Sequence, residues 1–330
     1  MSVAAMKVKA RRLRCVAFFF ILLAGISPKD AQPAAATAAA PVHFRVATYN
    51  LENYLDQLIG NRHPKTAEAK AQIRENLRLL NADVLALQEM GSTNALFELR
   101  ASLQAEGLIY PFWEHVSGWD TNIHVAILSR FPITRRHPHT NESFLLFGRR
   151  FRVSRGLAEV DIRVNDQYEF TLITAHLKSR RPVPEADEAE LREQEALILR
   201  DKITALLQTW PNRNLIVLGD LNDTQDSKST RAVIGRGRHA LIDTRPAERE
   251  TGEPRGASQA ESISMSLARR VTWTHYYAKE DSFSRIDYIL LSAGMAREWD
   301  KADTYVQALA NWGVGSDHRP IVAGFFAEDR

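Results

Sequence analysis

Three hundred and thirty residues can form one large domain or two ordinary ones, and a chain that is 45% hydrophobic and 25% charged is globular. That excludes a disordered, collagen-like or multi-span membrane protein, and the one cysteine, Cys15, excludes a disulfide scaffold and a cysteine-rich zinc site. Of 43 basic and 40 acidic residues, six and one fall within residues 1–32, so the remainder is slightly acidic and any hold on nucleic acid has to be local.

In chain order, residues 1–14 are basic, residues 15–26 are apolar, and an Ala/Pro tract follows up to Pro41. This is the pattern of a secretory signal peptide, placed at 1–31, with a linker at 32–41 and one catalytic domain at 42–330. Twelve apolar residues fall short of the roughly 20 that span a bilayer. The alternative is an uncleaved amino-terminal anchor. The expected location is secreted or periplasmic.

From Val42 onward, strand-like runs alternate with helix-like ones. Strands are expected at 43–50, 83–88, 124–129, 157–164, 169–176, 215–220, 286–291 and 321–326. Ile73, Leu77 and Leu80 give residues 64–80 the spacing of an amphipathic helix, and residues 184–210 form a longer helical stretch, acidic at its start. Residues 230–266 read as loop with short helices. About eight strands and several helices imply a layered α/β domain.

Polar residues gather where these strands end: Asn50 and Glu52, Glu89, His176 and Lys178, Asp220 and Asn222. Asp287 stands at the start of a strand, and Asp317 and His318 just before the last one. Apolar strands that deliver carboxylates, amides and imidazoles at their tips build a site on a rigid floor. Each fragment alone has a plainer reading. Gly-Asp-Leu-Asn makes a good turn, Ser-Asp-His can cap a strand, and His176 can be a satisfied core histidine. Their conjunction suits hydrolysis of a phosphate ester. Oxygen ligands favour Mg²⁺ or Mn²⁺ over zinc, a carboxylate orients and deprotonates water, and imidazoles hold phosphate oxygens or assist the leaving group.

At these residues the chain resembles the endonuclease/exonuclease/phosphatase superfamily. The matching pieces are Thr-Tyr-Asn-Leu-Glu-Asn (48–53), Leu-Gln-Glu (87–89), Val-Ala-Ile-Leu-Ser-Arg-Phe-Pro (125–132), His-Leu-Lys-Ser (176–179), Gly-Asp-Leu-Asn-Asp (219–223), Arg-Ile-Asp-Tyr (285–288) and Ser-Asp-His-Arg-Pro (316–320), in family order. The resemblance implies a four-layer α/β sandwich, two packed mixed sheets flanked by helices. It implies Glu89 as chief metal ligand with Asn50 and Asp317, Glu52 contributing. Asp220 would position or deprotonate water, Asn222 would hold a phosphate oxygen, Asp287 would orient His318, and His176 would be the second catalytic imidazole. Asn50 and Arg285 would contact substrate. Mg²⁺ or Mn²⁺ is the implied cofactor, with Ca²⁺ as a structural ion. Two departures stand out. His124 replaces a small residue before Val125, and either narrows the pocket or is an exposed strand-start residue. No carboxylate is identifiable as the support of His176.

Residues 130–181 hold eleven Arg or Lys against five acids, with Arg150 and Lys178 flanking strands that lead to the site. This is either a phosphate-binding face or a solvated surface paired with the acidic run 185–195. The first expectation is a nuclease of low sequence specificity on DNA, with no obligate protein partner. The alternative is a phosphatase or phosphodiesterase on a phospholipid head group or sugar phosphate. Phe144-Leu-Leu-Phe147 would then be the exposed apolar loop, unless it is core. A non-catalytic binding module on the same fold is the third possibility.

Overall fold

The structure, a computed structural model, describes residues 42–250 and 272–329. The signal peptide and linker expected before Val42, and part of the irregular stretch expected at 230–266, lie outside the described residues.

In a strand, successive side chains point to opposite faces. β1 (His43–Tyr54) turns Phe44 and Val46 to one side and Ala47, Tyr49 and Leu51 to the other. β2 (Val84–Met90) does the same with Val84 and Ala86 against Leu85 and Leu87. A strand that is apolar on both faces needs a cover on both. The chain supplies another sheet on one side and helices on the other.

The strands follow in order: β3 (Phe112–Val116), β4 (His124–Ser129), β5 (Ile133–His139), β6 (Ser143–Leu146), β7 (Arg149–Arg152), β8 (Leu157–Asn165), β9 (Tyr168–His176), β10 (Leu215–Asp220), β11 (Ile242–Asp243), β12 (Ala247–Glu250), β13 (His275–Tyr277), β14 (Ser282–Ser284), β15 (Asp287–Leu291), β16 (Trp299–Ala308) and β17 (Ile321–Phe326). One sheet has the order β12-β16-β17-β1-β2-β4-β3 and the other β11-β15-β10-β9-β8-β5. Both are mixed: β1–β2 and β9–β10 are parallel, while β1–β17, β2–β4 and β10–β15 are antiparallel.

Between the sheets, Phe44, Val46, Ala86 and Ile127 meet Val160, Phe170, Leu172, Ile216 and Ile289. Phe44 stacks on Phe170 with ring centroids 5.3 Å apart. Helices α1 (Ala67–Leu80) and α2 (Thr93–Ala105) lay Ile73, Leu77, Leu96 and Leu99 on Tyr49, Leu85 and Leu87. Helix α3 (Glu188–Thr209) lays Leu199 and Ile203 on Ile173, Ala175 and Val217 of the second sheet, with α4 (Lys228–Ile234) beside it. The sandwich is therefore four-layered, as the resemblance implies. The main helices start where side-chain caps allow: Thr66, Ser92 and Asp187 accept from the first free amides.

The expected strands are present within a few residues, and the two expected helices are α1 and α3. The structure adds α2 and the strands β3, β5, β6, β7, β13, β14 and β16. The described part of the 230–266 stretch contains α4, begun at Lys228, and the short strands β11 and β12.

Candidate active site

The core-facing rows of four strands end in polar residues at the same edge of the sandwich. Along β1 the row Phe44, Val46, Thr48 continues to Asn50. Along β9 the row Phe170, Leu172, Thr174 continues to His176. Ile216 and Leu218 on β10 lead to Asp220, and Leu291 and Ile289 on β15 lead back to Asp287. Register then sets them side by side, His176 opposite Asp220 and Asp220 opposite Asp287. Gly219 makes the first pairing possible, because with φ +129° a Cβ there would run into the Ala175 carbonyl. Below the tips a buried polar tie crosses from sheet to sheet. Thr48 Oγ1 donates to Gln88 Oε1 at 3.1 Å, and Gln88 Nε2 donates to Thr174 Oγ1 at 3.1 Å.

Glu89 reaches the site by a different device. Register slips between Leu87 and Met90 in the β2–β4 pairing, and between Asn50 and Tyr54 in β1–β2. Glu52, Asn53, Glu89 and Asn222 all have φ between +46° and +60°. Such bulged, left-handed positions re-aim side chains, each at a cost on the order of 1 kcal/mol. Glu89 Oε2 accepts from the Asn53 amide at 3.0 Å, and Oε1 stands 3.9 Å from His176 Nε2.

Asp220 is the hub. Its Oδ2 accepts from Asn50 Nδ2 at 2.9 Å and Asn222 Nδ2 at 3.3 Å, and its Oδ1 from the Asn222 amide at 2.8 Å. His176 Nε2 is 3.5 Å away and His318 Nε2 3.8 Å. Burial, then the charge of Asp287, pushes Asp220 up to about 7.

The two imidazoles differ. His176 is wholly buried, its Nδ1 has no hydrogen-bond partner, and burial followed by the charge of Arg155 holds its pKa well below the ordinary value. It is neutral. Burial also opposes a charge on His318, but Asp287 Oδ2, 2.8 Å from Nδ1, and Asp220 and Asp317 beyond more than offset it. It is an imidazolium.

One side of this cluster offers oxygen donors of the kind a divalent cation takes, from Glu89, Glu52, Asp317 and Asn50. Burial, then the charge of Asp317, raises the Glu52 carboxyl above its ordinary value, and Lys65 at 3.4 Å only partly counters this. Crowding of like-charged carboxylates is what a cation relieves. Burial opposes the charge of Asp317 as well, but His275 at 3.6 Å and then His318 carry its pKa below the ordinary value. The compact groups His275, Asp317, His318 and Asp220, Asp287, His318 both include His318, which would have to lose its proton to ligate an ion.

Of the residues expected from the sequence, Glu89, Asn50, His176, Asp220, Asn222, Asp287, Asp317 and His318 are brought together. Three are placed otherwise. Arg285 makes a two-pronged pair with Asp243 at 2.6 and 3.0 Å and covers the Tyr288 ring. Lys178 donates its ammonium to the carbonyls of Ser179 and Arg181. Arg150 lies on the exposed β6–β7 hairpin and donates to Ser143 Oγ at 2.9 Å. His124 is 6% exposed, so it is no exposed strand start. It packs on His115, and burial, then the His115 charge, lowers its pKa to about 4. His275, Arg155 and the Thr48–Gln88–Thr174 tie carried no signal in the sequence beyond residue type.

Two mixed sheets with acids, amides and two unlike imidazoles at one edge define a phosphoesterase of the deoxyribonuclease I-like architecture. The sequence model of the Endonuclease/Exonuclease/phosphatase family matches residues 47–318, and the chain belongs to that family. It is a hydrolase of phosphate ester bonds, in a family that generally uses divalent metal ions. Similar folds include truncated TDP2 from Caenorhabditis elegans (TM-score 0.56, 18% identity, 86% of this chain and 98% of that one). The human nocturnin catalytic domain with bound sulfate is another (0.59, 17%, 86% and 94%), as is sphingomyelinase C from Streptomyces griseocarneus (0.55, 17%, 86% and 99%). No match was found among curated proteins.

Proposed function

We infer that this chain is a nuclease that hydrolyses phosphodiester bonds in DNA through backbone contacts, with Mg²⁺ or Mn²⁺ as cofactor. Asp220, tuned near neutrality, takes the proton of the attacking water, and Asn50 and Asn222 fix its carboxylate. The His318 imidazolium, oriented by Asp287, donates to a phosphate oxygen as charge develops there. Neutral His176 accepts or returns a proton from the other side of Asp220. Glu89, with Asn50, Glu52 and Asp317, would hold the cation, which adds positive charge beside the phosphate when bound.

The observation that carries the nucleic-acid reading is how the basic stretch divides. Arg130, Arg135, Arg136, Arg163 and Arg180 pair with Asp83, Glu159 and Asp161, Glu114, Glu169 and Asp223. Those partners are not the acidic run 185–195. Among the described residues Arg149, Arg150, Arg152 and Arg181 make no such pair, and three of them sit on one hairpin, free to meet phosphates.

The test is plasmid hydrolysis with Mg²⁺, Mn²⁺ or EDTA, with Asp220→Ala and His318→Ala alongside. Cation-dependent nicking that both variants abolish, weakening steeply with salt, supports the reading. A folded protein that cleaves no DNA with either cation sinks it. A phospholipid substrate is the second reading, favoured by Leu145 and Phe147, 63% and 78% exposed at the tip of the same hairpin. Turnover of phospholipid vesicles but not plasmid would select it. Export through a signal at 1–31, with a linker at 32–41 before the catalytic domain, completes the proposal. Fractionation of the producing cells checks it, and protein confined to the cytosol would refute it.

A further inference from the structure

Beside His176 lies a cavity of about 330 Å³, lined by Trp119, Asp120, Thr121, Asn122, Ser154 and Arg155. Two loops build it, one before β4 and one before β8. They touch through glycine: a Cβ on Gly118 would run into Gly156, and one on Gly156 into the Ser117 carbonyl. Glu195, buried on α3, fastens the second loop by accepting from the Ser154 amide and hydroxyl, both at 2.8 Å. The walls are therefore held before any ligand arrives.

The inner wall is cationic. Arg155 is 5% exposed, and its Nη1 donates to the Leu177 carbonyl at 3.4 Å. Asp120 Oδ2 is 3.8 Å from Nε, beyond hydrogen-bond reach, and the buried Nε proton has no partner. That proton is sealed from the cavity as well, so what the inner wall offers a ligand is the charge of a guanidinium whose nearest carboxylate is not hydrogen-bonded to it. Its bond to the Leu177 carbonyl sets it one residue past His176, at the end of β9 and next to the candidate site. The outer rim is aromatic. Trp119 stays 62% exposed, with the Arg152 guanidinium 4.3 Å from its ring centroid. A phosphate donor on the inner wall and an indole at the rim match one nucleotide, phosphate inward and base outward.

We propose that this cavity is the subsite for the nucleotide adjoining the scissile phosphate, and that it takes an unpaired base stacked on Trp119. The inference rests on the nucleic-acid reading and narrows it to single-stranded stretches. A base inside a duplex is already stacked on both faces and cannot lie on a side chain without leaving the helix. Arg155 holds the flanking phosphate, and Asp120 keeps the guanidinium in place between turnovers.

The experiment compares kcat/KM of the full chain with Mg²⁺ on three substrates: a single-stranded oligonucleotide, an abasic strand of equal length and the duplex. Trp119→Ala should lower kcat/KM on the intact strand about 5- to 100-fold, mainly through KM, and several-fold less on the other two. Arg155→Lys should weaken the intact and abasic strands alike, because the phosphate contact is common to both. Trp119 is exposed, so its replacement should leave the melting temperature within a degree or two, and Arg155→Lys is compared at equal folded concentration. Equal losses on all three substrates, or none on the intact strand, overturn the subsite and leave the nuclease reading standing. A wild type that cleaves none of the three overturns that reading itself.

Discussion

Two buried clusters of charge in the second sheet follow opposite rules. At the β5–β8 side, Asp161 accepts from Arg135 and Arg213 at 2.6 Å each and from Thr171 at 2.7 Å. Glu159 accepts from Arg135 at 2.9 Å and His139 at 3.0 Å. Burial opposes both charges, yet Arg135 for Asp161 and His139 for Glu159 outweigh it, and both carboxyls lie below their ordinary pKa. At the strand tips, Asp220 and Asp287 share the single imidazolium of His318, and Asp287 Oδ1 and His176 Nδ1 have no partner at all. One cluster is neutralised within the chain and serves stability. The other keeps a deficit of the kind that substrate, water or a cation fills, which is what singles it out as the candidate active site.

The largest effect comes from removing the deficit. Asp220→Asn should lower kcat about 10³-fold or more while raising the urea midpoint measured in EDTA, because a strained buried carboxylate is gone. An unchanged kcat would break the contrast. Asp161→Ala should do the reverse. Two arginines each lose one acceptor, and with partial solvent screening stability falls by about 2 kcal/mol, with kcat per folded molecule within about twofold.

Acid titration sharpens the same point. The Asp161 and Glu159 pKa values are lower in the folded protein, so their stabilisation is complete above the unfolded carboxylate range and is lost as pH falls through the folded values. Wild type should therefore lose stability faster than Asp161→Ala between about pH 5 and about pH 3. Parallel curves would show that the pair contributes nothing. The smallest effect belongs to Arg285, which stands near the site yet is neutralised by Asp243. Arg285→Lys should cost about 1 kcal/mol in denaturant unfolding, and a tenfold rise in KM would instead return it to the substrate.

Much of this was legible in the sequence, for identifiable reasons. Strands such as 124–129 and 215–220 are short runs bounded by turn residues, and their boundaries match. β5 was obscured because it is an edge strand whose middle residues, Arg135, Arg136 and Pro138 among them, are exposed on both faces. Helix α2 has Leu96, Leu99 and Leu103 in phase, but Phe97, 40% exposed, blurs its pattern. The tips of the strands named most of the candidate site because polar residues ending apolar rows are visible without a structure. The unspent donor of Arg155 was not, since in sequence it is one arginine among eleven. Nor was the absence of a partner on His176 Nδ1, which depends on packing.

The order of assembly carries a last consequence. β1 contributes Asn50, yet its neighbour on one side is β17, at the other end of the chain, with His43 facing Phe326. Asp317 and His318 reach the cluster only when that late strand zips in place. Contacts of such sequence separation form slowly. A chain that has brought Glu89, His176 and Asp220 together but has not yet paired β17 lacks His318 at the cluster, so the candidate site is complete only when the two ends of this domain have closed on each other.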